Sequence, residues 1–271
     1  MTELKNKRSY IEISADVNQF VQAKLNGYNA KGIEAKTIHD PIWGSTEYSE
    51  WEMQLIDSPL IQRLRGISQV GLAVLTYPAA RHSRFEHTLG VAAATKRLVD
   101  RINVNCSNFQ INQNVKNKLV LAAIMHDVGH CFYSHLSESI YGNLKDFAEL
   151  RKDIKDILGV KPKPHEILSL IIVNCDSFKS FFSNELNYPN KANLDKLLED
   201  VGKIIIGVNI TDGDNIESYQ TSIINGSFDV DKLDYIKRDS YTAGLALDFD
   251  IERLFTKIKV HPISIEGKIE H

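Results

Sequence analysis

The sequence predicts a mainly α-helical protein with a small β-hairpin near the N-terminus and short strands at the C-terminus. Apolar residues recur at helical spacing through most of the chain after residue 50. Residues 36–49 are instead β-branched and aromatic around Asp40 and Gly44, a combination typical of a hairpin. The helical patterns lie at 50–57, 59–69, 83–103, 114–128, 164–174, 191–206, 215–224, 229–243 and 250–258, with weaker periodicity at 8–26.

The composition is that of a globular chain with one large domain. Its 271 residues are 43% hydrophobic, which is enough to bury a sizeable core. We expect a helical extension at 1–35, a main domain at 36–260 and a strand-forming tail at 261–271. Within the main domain, residues 141–163 are rich in lysine and acidic residues and predict a mobile insertion.

Charge and cysteine content narrow the classes of function. The net charge of −3 argues against a general nucleic-acid or membrane-surface binder, although local basic patches and nucleic-acid contacts stay open. Three widely spaced cysteines without a CxxC pair suit reduced thiols. The N-terminus has no apolar signal segment, and no apolar run approaches the roughly 20 residues of a membrane span. We therefore expect a soluble, cytoplasmic protein without a membrane partner.

The most informative segment is LVLAAIMHDVGHCFYSH, residues 119–135. Its first seven residues are apolar and predict a helix that runs through the core and ends at His126 and Asp127. A buried, unpaired carboxylate is very costly, so Asp127 requires a cation, a metal ion or exposure at a cleft. The alternative is an ordinary helix C-terminus, with Gly129 in the left-handed conformation and His126 bonded to the last carbonyls.

A second histidine lies on a predicted buried helical face. His87 shares one stripe with Val91 and Ala94. Arg84 precedes His87 by about one turn and points the same way. An arginine beside a buried histidine suits a phosphate held next to a metal, because a guanidinium binds oxyanions in a bidentate manner. The alternative is a core histidine whose ring is satisfied by its neighbours.

A third element, FDVDKLDYIKRD, offers the second carboxylate that a mixed His/Asp site needs. On a helix its polar side chains share one face and its apolar side chains another. Such a polar stripe is usually just a solvated face. Two imidazoles and two carboxylates nevertheless suit Mn, Fe or Zn and leave positions open for water and substrate. The polar face comprises Asp231, Asp234, Tyr235, Arg238 and Asp239.

Taken together, these motifs resemble a known family. The set His87, His126-Asp127 and Asp231 is similar to the H…HD…D signature of the HD-domain metal-dependent phosphohydrolases. The resemblance runs from about residue 36 to about residue 260 and is greatest to the deoxynucleoside triphosphate triphosphohydrolases of the sterile-alpha-motif/HD type. It implies an HD-domain helical bundle. The matching segments, in family order, are IHDPIWG, IDSPLIQRLRGISQVG, YPAARHSRFEHTLGV, MHDVGHCFYSH, PHE and DVDKLDYIKRD.

The resemblance implies a metal centre with a phosphate site beside it. A divalent ion (Mn, Fe or Zn) would bind the protein, and Mg would accompany the substrate phosphates. His130 and His165 would be catalytic, since histidine donates protons near neutral pH, and Glu138 would orient His165. The metal ligands would be His87, His126, Asp127 and Asp231. The substrate phosphates and sugar would be contacted by Gln69, Arg84, His135, Lys232, Tyr235 and Asp239.

The resemblance also implies an activating nucleotide bound between the subunits of a homo-oligomer. Its contacts would come from Asp57, Gln62 and Arg65. The same residues allow a local interpretation, because Asp57 can belong to a helix-capping turn and Arg65 can pair with it. His39 stands where activated relatives have another polar residue, which weakens the activator interpretation.

The implied reaction converts a deoxynucleoside triphosphate to a deoxynucleoside and inorganic triphosphate, by attack of metal-activated water on the α-phosphorus. Two alternatives stay open. One is an HD phosphodiesterase or nuclease acting on a diester, and the other is a non-catalytic nucleotide-sensing module of a larger assembly. The retained ligands and histidines favour the enzyme. Longer family members continue with helices that complete the sugar pocket, so base and sugar preference are not predicted.

Overall fold

A computed structural model describes residues 1–213, 215–247, 249–265 and 268–271. The described part is dominated by α-helices, which confirms the predicted fold class. The first helices and the hairpin are α1 (Thr2–Lys5), α2 (Arg8–Leu25), β1 (Lys36–Asp40), β2 (Gly44–Tyr48), α3 (Glu50–Ile56) and α4 (Pro59–Gln62). Two 3-10 turns follow, at Arg63–Gly66 and Gly71–Leu75.

The remaining elements form the body of the bundle and a small second sheet. The central helices are α5 (Arg84–Asn105), α6 (Gln113–Met125), α7 (His135–Tyr141), α8 (Lys145–Leu158), α9 (Pro164–Asn174), α10 (Asp176–Glu185) and α11 (Leu194–Ile205). The C-terminal elements are β3 (Ile210–Asp212), β4 (Asn215–Glu217), α12 (Ser218–Ile224), α13 (Val230–Ala243), α14 (Ile251–Phe255), β5 (Ile263–Ile265) and β6 (Lys268–Glu270).

Helices α5 and α6 form the centre of the main core. Helix α5 begins with a capping box, in which the Ser83 N–H donates to Glu86 Oε2 over 2.8 Å. Its alanines let α6 approach closely, and the apolar residues 119–125 of α6 are fully buried, as the sequence predicts. Helix α13 packs on α5, and α11 packs on both α6 and α9. The starts of α5 and α13 and the end of α6 are therefore held close together.

Residues 145–158 correct the expectation of a mobile insertion at 141–163. They form α8, whose side chains Phe147, Leu150 and Ile154 are buried in a second core together with Leu4 and Tyr10. The lysines and acids suggested solvent, but the apolar residues recur at the i, i+3, i+7 spacing of an amphipathic helix. The N-terminal helices thus pack on the body of the protein through α8 and α9.

The N-terminal hairpin and the C-terminal strands lie where the sequence predicts them, whereas strands β3 and β4 were not predicted. Strands β1 and β2 pair antiparallel from Lys36 opposite Tyr48 to Asp40 opposite Gly44. At the turn, Asp40 Oδ1 accepts the N–H groups of Ile42 and Trp43, and Gly44 adopts a φ of 67° that suits glycine. The C-terminal tail forms β5 and β6 in a small sheet of order β3-β4-β6-β5.

Other boundaries differ from the sequence patterns. Helix α10 was not predicted, because its apolar residues are phenylalanines between polar residues. The pattern at 59–69 gives one α-helical turn and a 3-10 turn, and the pattern at 215–224 begins as strand β4. Among the helices of the described residues, none has both the length and the apolar composition needed to cross a membrane.

Candidate metal centre

Three helix ends bring two imidazoles and a carboxylate together. His87 lies in the first turn of α5, His126 directly follows α6, and Asp231 is the second residue of α13. His87 Nε2 is 3.3 Å from His126 Nε2 and 2.9 Å from Asp231 Oδ1. His126 Nε2 is 3.7 Å from the same carboxylate oxygen. One ligand atom from each of these residues can therefore face a common point.

The orientation of both rings fits a metal ligand. His126 Nδ1 donates to the Ala123 carbonyl over 2.7 Å, and His87 Nδ1 donates to Asp234 Oδ2 over 2.7 Å. Each ring therefore presents Nε2 to the cluster, the arrangement in which an outer acceptor fixes the tautomer of a ligand histidine. Atoms about 2.1 Å from one ion lie about 3.0 to 3.4 Å apart, close to the separations found here. The cluster can hold a divalent metal ion.

Asp127, the fourth predicted ligand, flanks this cluster. Its Oδ1 is 3.5 Å from His126 Nε2, and its Oδ2 is 3.7 Å from His87 Nε2. Oδ2 also accepts the Arg84 Nη1–H over 2.6 Å. Although burial opposes ionisation, Arg84 and His126 hold the pKa of Asp127 well below its usual value. Asp127 is therefore a carboxylate shared between the metal cluster and an arginine.

The buried charges of the cluster perturb one another strongly. Burial lowers the pKa of His87, but its contacts with Asp231 and Asp234 outweigh burial and raise it to about 10. In the same way, burial raises the pKa of Asp231, but His126 and His87 hold it far below its usual value. Without a metal ion, a proton on His87 takes over part of the charge that an ion would supply.

Asp234 orients His87, although it was not predicted as a site residue. It is fully buried and accepts two hydrogen bonds from Arg238 and one, over 2.6 Å, from Trp43 Nε1. Arg238 also donates to Asp40 in the hairpin over 2.8 Å. The sequence contained one signal for this role: Asp234 follows Asp231 by three residues and precedes Arg238 by four, so the three side chains share one helical face. A chain of ionic contacts thus links the hairpin to the metal cluster.

A second group of side chains surrounds Glu138. Its Oε1 accepts Nδ1–H groups from His165 over 2.9 Å and from His135 over 3.0 Å, and His130 Nδ1 lies 3.2 Å away. The His130 and His165 rings are stacked with centroids 3.8 Å apart. The donor atoms of this group also lie close enough to hold an ion, and both ring nitrogens of His130 are buried without a hydrogen-bond partner among the described residues.

The three histidines of this group differ in environment. Burial lowers the pKa of His130 to about 3, so its ring is neutral at pH 7. Burial raises the pKa of Glu138, but His135 and His165 outweigh burial and hold it well below its usual value. His165 is buried against the carboxylate, whereas His135 is exposed. The group therefore combines an ionised glutamate, a neutral histidine and an exposed histidine.

The loop after Asp127 is shaped by backbone contacts. Arg63 donates to the carbonyls of Val128 and His130. Ser169 Oγ accepts the Gly129 N–H over 2.9 Å and donates to the His126 carbonyl over 2.7 Å. A Cβ at Gly129 would lie 2.1 Å from a backbone oxygen of α9, so only glycine fits. Close packing of the loop on α9 therefore places His130 beside the metal cluster.

The family of the chain can now be stated. The model of the HD domain family matches residues 84–235, the segment that contains His87, His126-Asp127 and Asp231. The chain belongs to the HD domain family. This membership confirms the resemblance found in the sequence, and it agrees with a site built for a divalent metal ion.

Curated relatives of this HD domain include triphosphohydrolases. The deoxynucleoside triphosphate triphosphohydrolase SAMHD1 homolog of Dictyostelium discoideum is 30% identical, over 83% of this chain and 40% of the relative. The human deoxynucleoside triphosphate triphosphohydrolase SAMHD1 is 28% identical, over 86% of this chain and 37% of the relative. A crystal structure of a hypothetical protein from Aquifex aeolicus has a TM-score of 0.57 and 29% identity, covering 87% of this chain and 53% of that one. The chain therefore spans less than half the length of these two curated relatives.

The predicted phosphate ligands of the HD domain lie at different distances from the metal cluster. Arg84 is buried, donates to Ser134 Oγ over 2.9 Å and keeps Nη2 without a partner. Lys232 lines a cavity of about 180 Å³ together with His126, His165 and Asp231, although its Nζ donates to Asp229 over 2.6 Å. Lys163 and Glu166, which were not predicted, line the same cavity.

The predicted sugar contacts are less closely grouped than the predicted phosphate ligands. Gln69 has a buried Oε1 without a hydrogen-bond partner, and Tyr235 is half-buried on α13. Asp239 lies 2.7 Å from His82 Nε2, a residue that the sequence analysis did not single out. These residues of the HD domain do not share one cluster with the metal ligands, so their assignment stays a prediction.

The three predicted activator contacts are occupied by local partners. Asp57 accepts from Lys36 Nζ over 2.9 Å. Gln62 donates to the Ile56 carbonyl over 2.9 Å and accepts from Arg65 Nε over 2.7 Å. Arg65 also stacks over Phe85, 3.6 Å from its ring centroid, and does not pair with Asp57. The three residues precede the segment that matches the HD family model, and a nucleotide site there stays a prediction.

Proposed function

We propose that this HD domain is a metal-dependent nucleotide phosphohydrolase that converts deoxynucleoside triphosphates to deoxynucleosides and inorganic triphosphate. The observation that carries the proposal is the position of the histidine–glutamate group directly beside the metal cluster. Asp127 joins the two, because its Oδ1 is 3.3 Å from His130 Nε2 and 3.8 Å from His165 Nε2. The relatives that carry the name triphosphohydrolase support this substrate class.

The protein residues divide into ligands and charge-neutralising groups. His87, His126, Asp127 and Asp231 would hold the ion. A divalent ion in such a site lowers the pKa of a water molecule so that it can act as a nucleophile at neutral pH. Arg84, whose Nη2–H has no partner, and Lys232 would bind the substrate phosphates and neutralise their charge. Magnesium on the polyphosphate belongs to the same proposal.

Proton transfer falls to His165 rather than His130. Glu138 accepts the His165 Nδ1–H over 2.9 Å, so the carboxylate orients the ring with Nε2 facing Asp127. Burial lowers the pKa of His130 to about 3, so its ring is neutral at pH 7 and serves as the stacking partner of His165. His165 would thus hold the proton that the departing oxygen takes up. Gln69, Tyr235, His135 and Asp239 would position the sugar and the phosphates.

The test is product analysis with single nucleotides. The full chain is incubated with Mn²⁺ or Mg²⁺ and individual deoxynucleotides or ribonucleotides, and the products are separated by chromatography. We expect a deoxynucleoside and intact triphosphate. The variant Asp231→Asn should lose both the ion and turnover, whereas Glu34→Gln, at an exposed position away from the cluster, should behave like wild type.

Other product patterns would contradict the proposal. Release of pyrophosphate or single phosphate would indicate attack at another phosphorus. Cleavage of a phosphodiester with no nucleotide turnover would favour a diesterase. No turnover, even with mixed nucleotides as activators, would favour a nucleotide-sensing module.

A further inference from the structure

A second cavity lies beside residues 161–162, just before the helix that carries His165, and all of its charged lining residues are cationic. It measures about 280 Å³ and is formed between α8, the end of α7 and residues 161–162. Four of its lining residues are cationic and none is acidic. The lining residues are Gly142, Asn143, Ala148, Arg151, Lys152, Lys155, Lys161 and Pro162. The proposed phosphohydrolase mechanism uses none of them.

Helix α8 separates its charges by face. Three of its four basic side chains, Arg151, Lys152 and Lys155, form one stripe at the i, i+1, i+4 positions and line the cavity. None of its four acidic side chains lines the cavity, and Asp153 accepts from Ser9 of α2 over 2.7 Å. Asp146 and Glu149 act electrostatically on Arg8, also in α2. The apolar stripe faces the second core. The charged side chains of α8 that line the cavity are therefore all positive.

The four cations line one cavity, and none of them has an ion-pair partner in the described part of the chain. The ion pairs recorded among the described residues include none that involves Arg151, Lys152, Lys155 or Lys161, while Lys145 is exposed at the first residue of α8. Like charges one turn apart destabilise a helix. An anion in the cavity would remove this repulsion, and multiply charged oxyanions gain the most from several ammonium and guanidinium donors.

The cavity is close in the chain to the metal centre. Lys161 and Pro162 form its wall, and Lys163, the next residue, lines the separate 180 Å³ cavity with His126 and His165. Gly142, on the same wall, packs so closely that an added Cβ would lie 3.1 Å from Pro164 Cγ. A ligand that fixes residues 161–164 would therefore fix the start of α9, which carries His165.

We infer that this cavity binds a polyphosphate group, either free as inorganic triphosphate or carried by a nucleotide, at a site separate from the metal centre. Its volume is below that of pockets which enclose whole drug-sized ligands, so it would hold the phosphates and leave a base outside. The four cations are confined to one concave site on a protein of net charge −3, which favours a small polyanion over an extended nucleic acid. This inference goes beyond the proposed hydrolysis and does not require it.

The test is equilibrium binding of inorganic triphosphate to the full chain by calorimetry, with a chelator present so that turnover plays no part. Binding to the wild type should weaken as salt rises. The double variant Lys152→Gln/Lys155→Gln should weaken one class of binding by about tenfold or more. The matched control Lys31→Gln/Lys145→Gln removes the same charge from exposed lysines outside the cavity and should bind like wild type.

Two further arms identify the source of the polyphosphate. If a non-hydrolysable deoxynucleotide binds the site more tightly than triphosphate and displaces it, the site belongs to nucleotides. If triphosphate binds more tightly than the deoxynucleotide, the site belongs to free triphosphate. Equal binding by wild type, double variant and control, with equal thermal melting, would overturn the inference. Binding of a single-stranded oligonucleotide that depends on Lys152 and Lys155, without triphosphate binding, would also overturn it.

Discussion

At the scale of single residues, His87 contacts more members of the metal site than a single ligand role requires. Its Nδ1 is bound by Asp234 and its Nε2 faces Asp231 and His126. The apolar stripe predicted that His87 would be buried, and the family resemblance implied its role as a metal ligand. The sequence did not predict Asp234 as the residue that orients the ring, because two aspartates on one polar face look alike until packing buries one of them.

Replacing Asp234 tests this orienting role. The variant Asp234→Asn should bind divalent metal about 10- to 100-fold more weakly, because the amide cannot replace the carboxylate that fixes the His87 tautomer. Metal titration measures the affinity, and thermal melting checks that Arg238 without its partner has not unfolded the protein. The variant Asp239→Asn, on the same helix but outside the cluster, should keep wild-type metal affinity. Equal affinities of Asp234→Asn and wild type would contradict the role.

The substitution Gly90→Ala tests how closely Asp234 and Arg238 pack against α5. A Cβ there would lie 1.9 Å from Asp234 Oδ1 and 2.2 Å from Arg238 Nη2. Alanine favours a helix, but the clash should dominate and destabilise the protein by about 1–3 kcal/mol. Denaturant unfolding measures the change. Gly66→Ala, where a Cβ meets nothing within 4 Å, is the control and should be close to neutral.

Metal binding should release protons at pH 7. In the metal-free protein the pKa of His87 is raised to about 10, so an ion must displace its proton. Metal affinity should therefore rise with pH until about 10. Conversely, this proton stabilises the metal-free fold fully below the unfolded pKa of about 6.5, and the contribution is lost as pH rises through the folded pKa. Calorimetry in buffers of different ionisation enthalpy counts the protons. Binding without proton release would show that His87 is not a ligand.

At the scale of elements, α8 shows where sequence interpretation failed and why. The long helices α5, α6 and α13 were predicted because each carries a sustained apolar stripe that decides its packing. Helix α8 carries such a stripe too, but its many charges made solvent seem the better environment. The stripe has a partner only because α1 and α2 fold back on it, and no local pattern contains that information.

Truncating the apolar stripe of α8 tests whether the helix is packed. Leu150 is fully buried in the second core, so Leu150→Ala should destabilise the protein by about 2–5 kcal/mol. Leu144, just before the helix, is 61% exposed, and Leu144→Ala should change stability little. Chemical denaturation compares the two. If neither variant differed from wild type, the segment would be mobile after all.

At the scale of the whole molecule, the metal cluster joins three helices that come from distant parts of the chain. The resemblance found in the sequence implied four ligands, and the structure brings His87, His126 and Asp231 within reach of one ion while Asp127 lies beside them. The sugar and activator contacts were carried over from the resemblance alone. In this chain Asp57, Gln62 and Arg65 contact local partners. A nucleotide bound between subunits would have to replace these contacts, so binding to the activator site stays a prediction.

Removing the ion should therefore lower the stability of the whole fold. An ion that binds only the folded state contributes about 2.7 kcal/mol at 100 times its dissociation constant. Melting followed by circular dichroism, with and without chelator, measures the shift. The variant His126→Ala should melt at the same temperature in both conditions. If the melting temperature of the wild type were also unchanged by the chelator, no ion would bind at the cluster.

The hydrogen bond from Trp43 to Asp234 also makes the hairpin a natural optical probe. The chain has two tryptophans, and the other, Trp51, packs against Tyr188. The Trp43 indole N–H ends on the carboxylate that holds His87. Any change in charge at His87, whether by proton loss or by arrival of an ion, alters the electric field at that indole. Intrinsic fluorescence can therefore follow occupation of the site in the unmodified protein, without a label and without turnover.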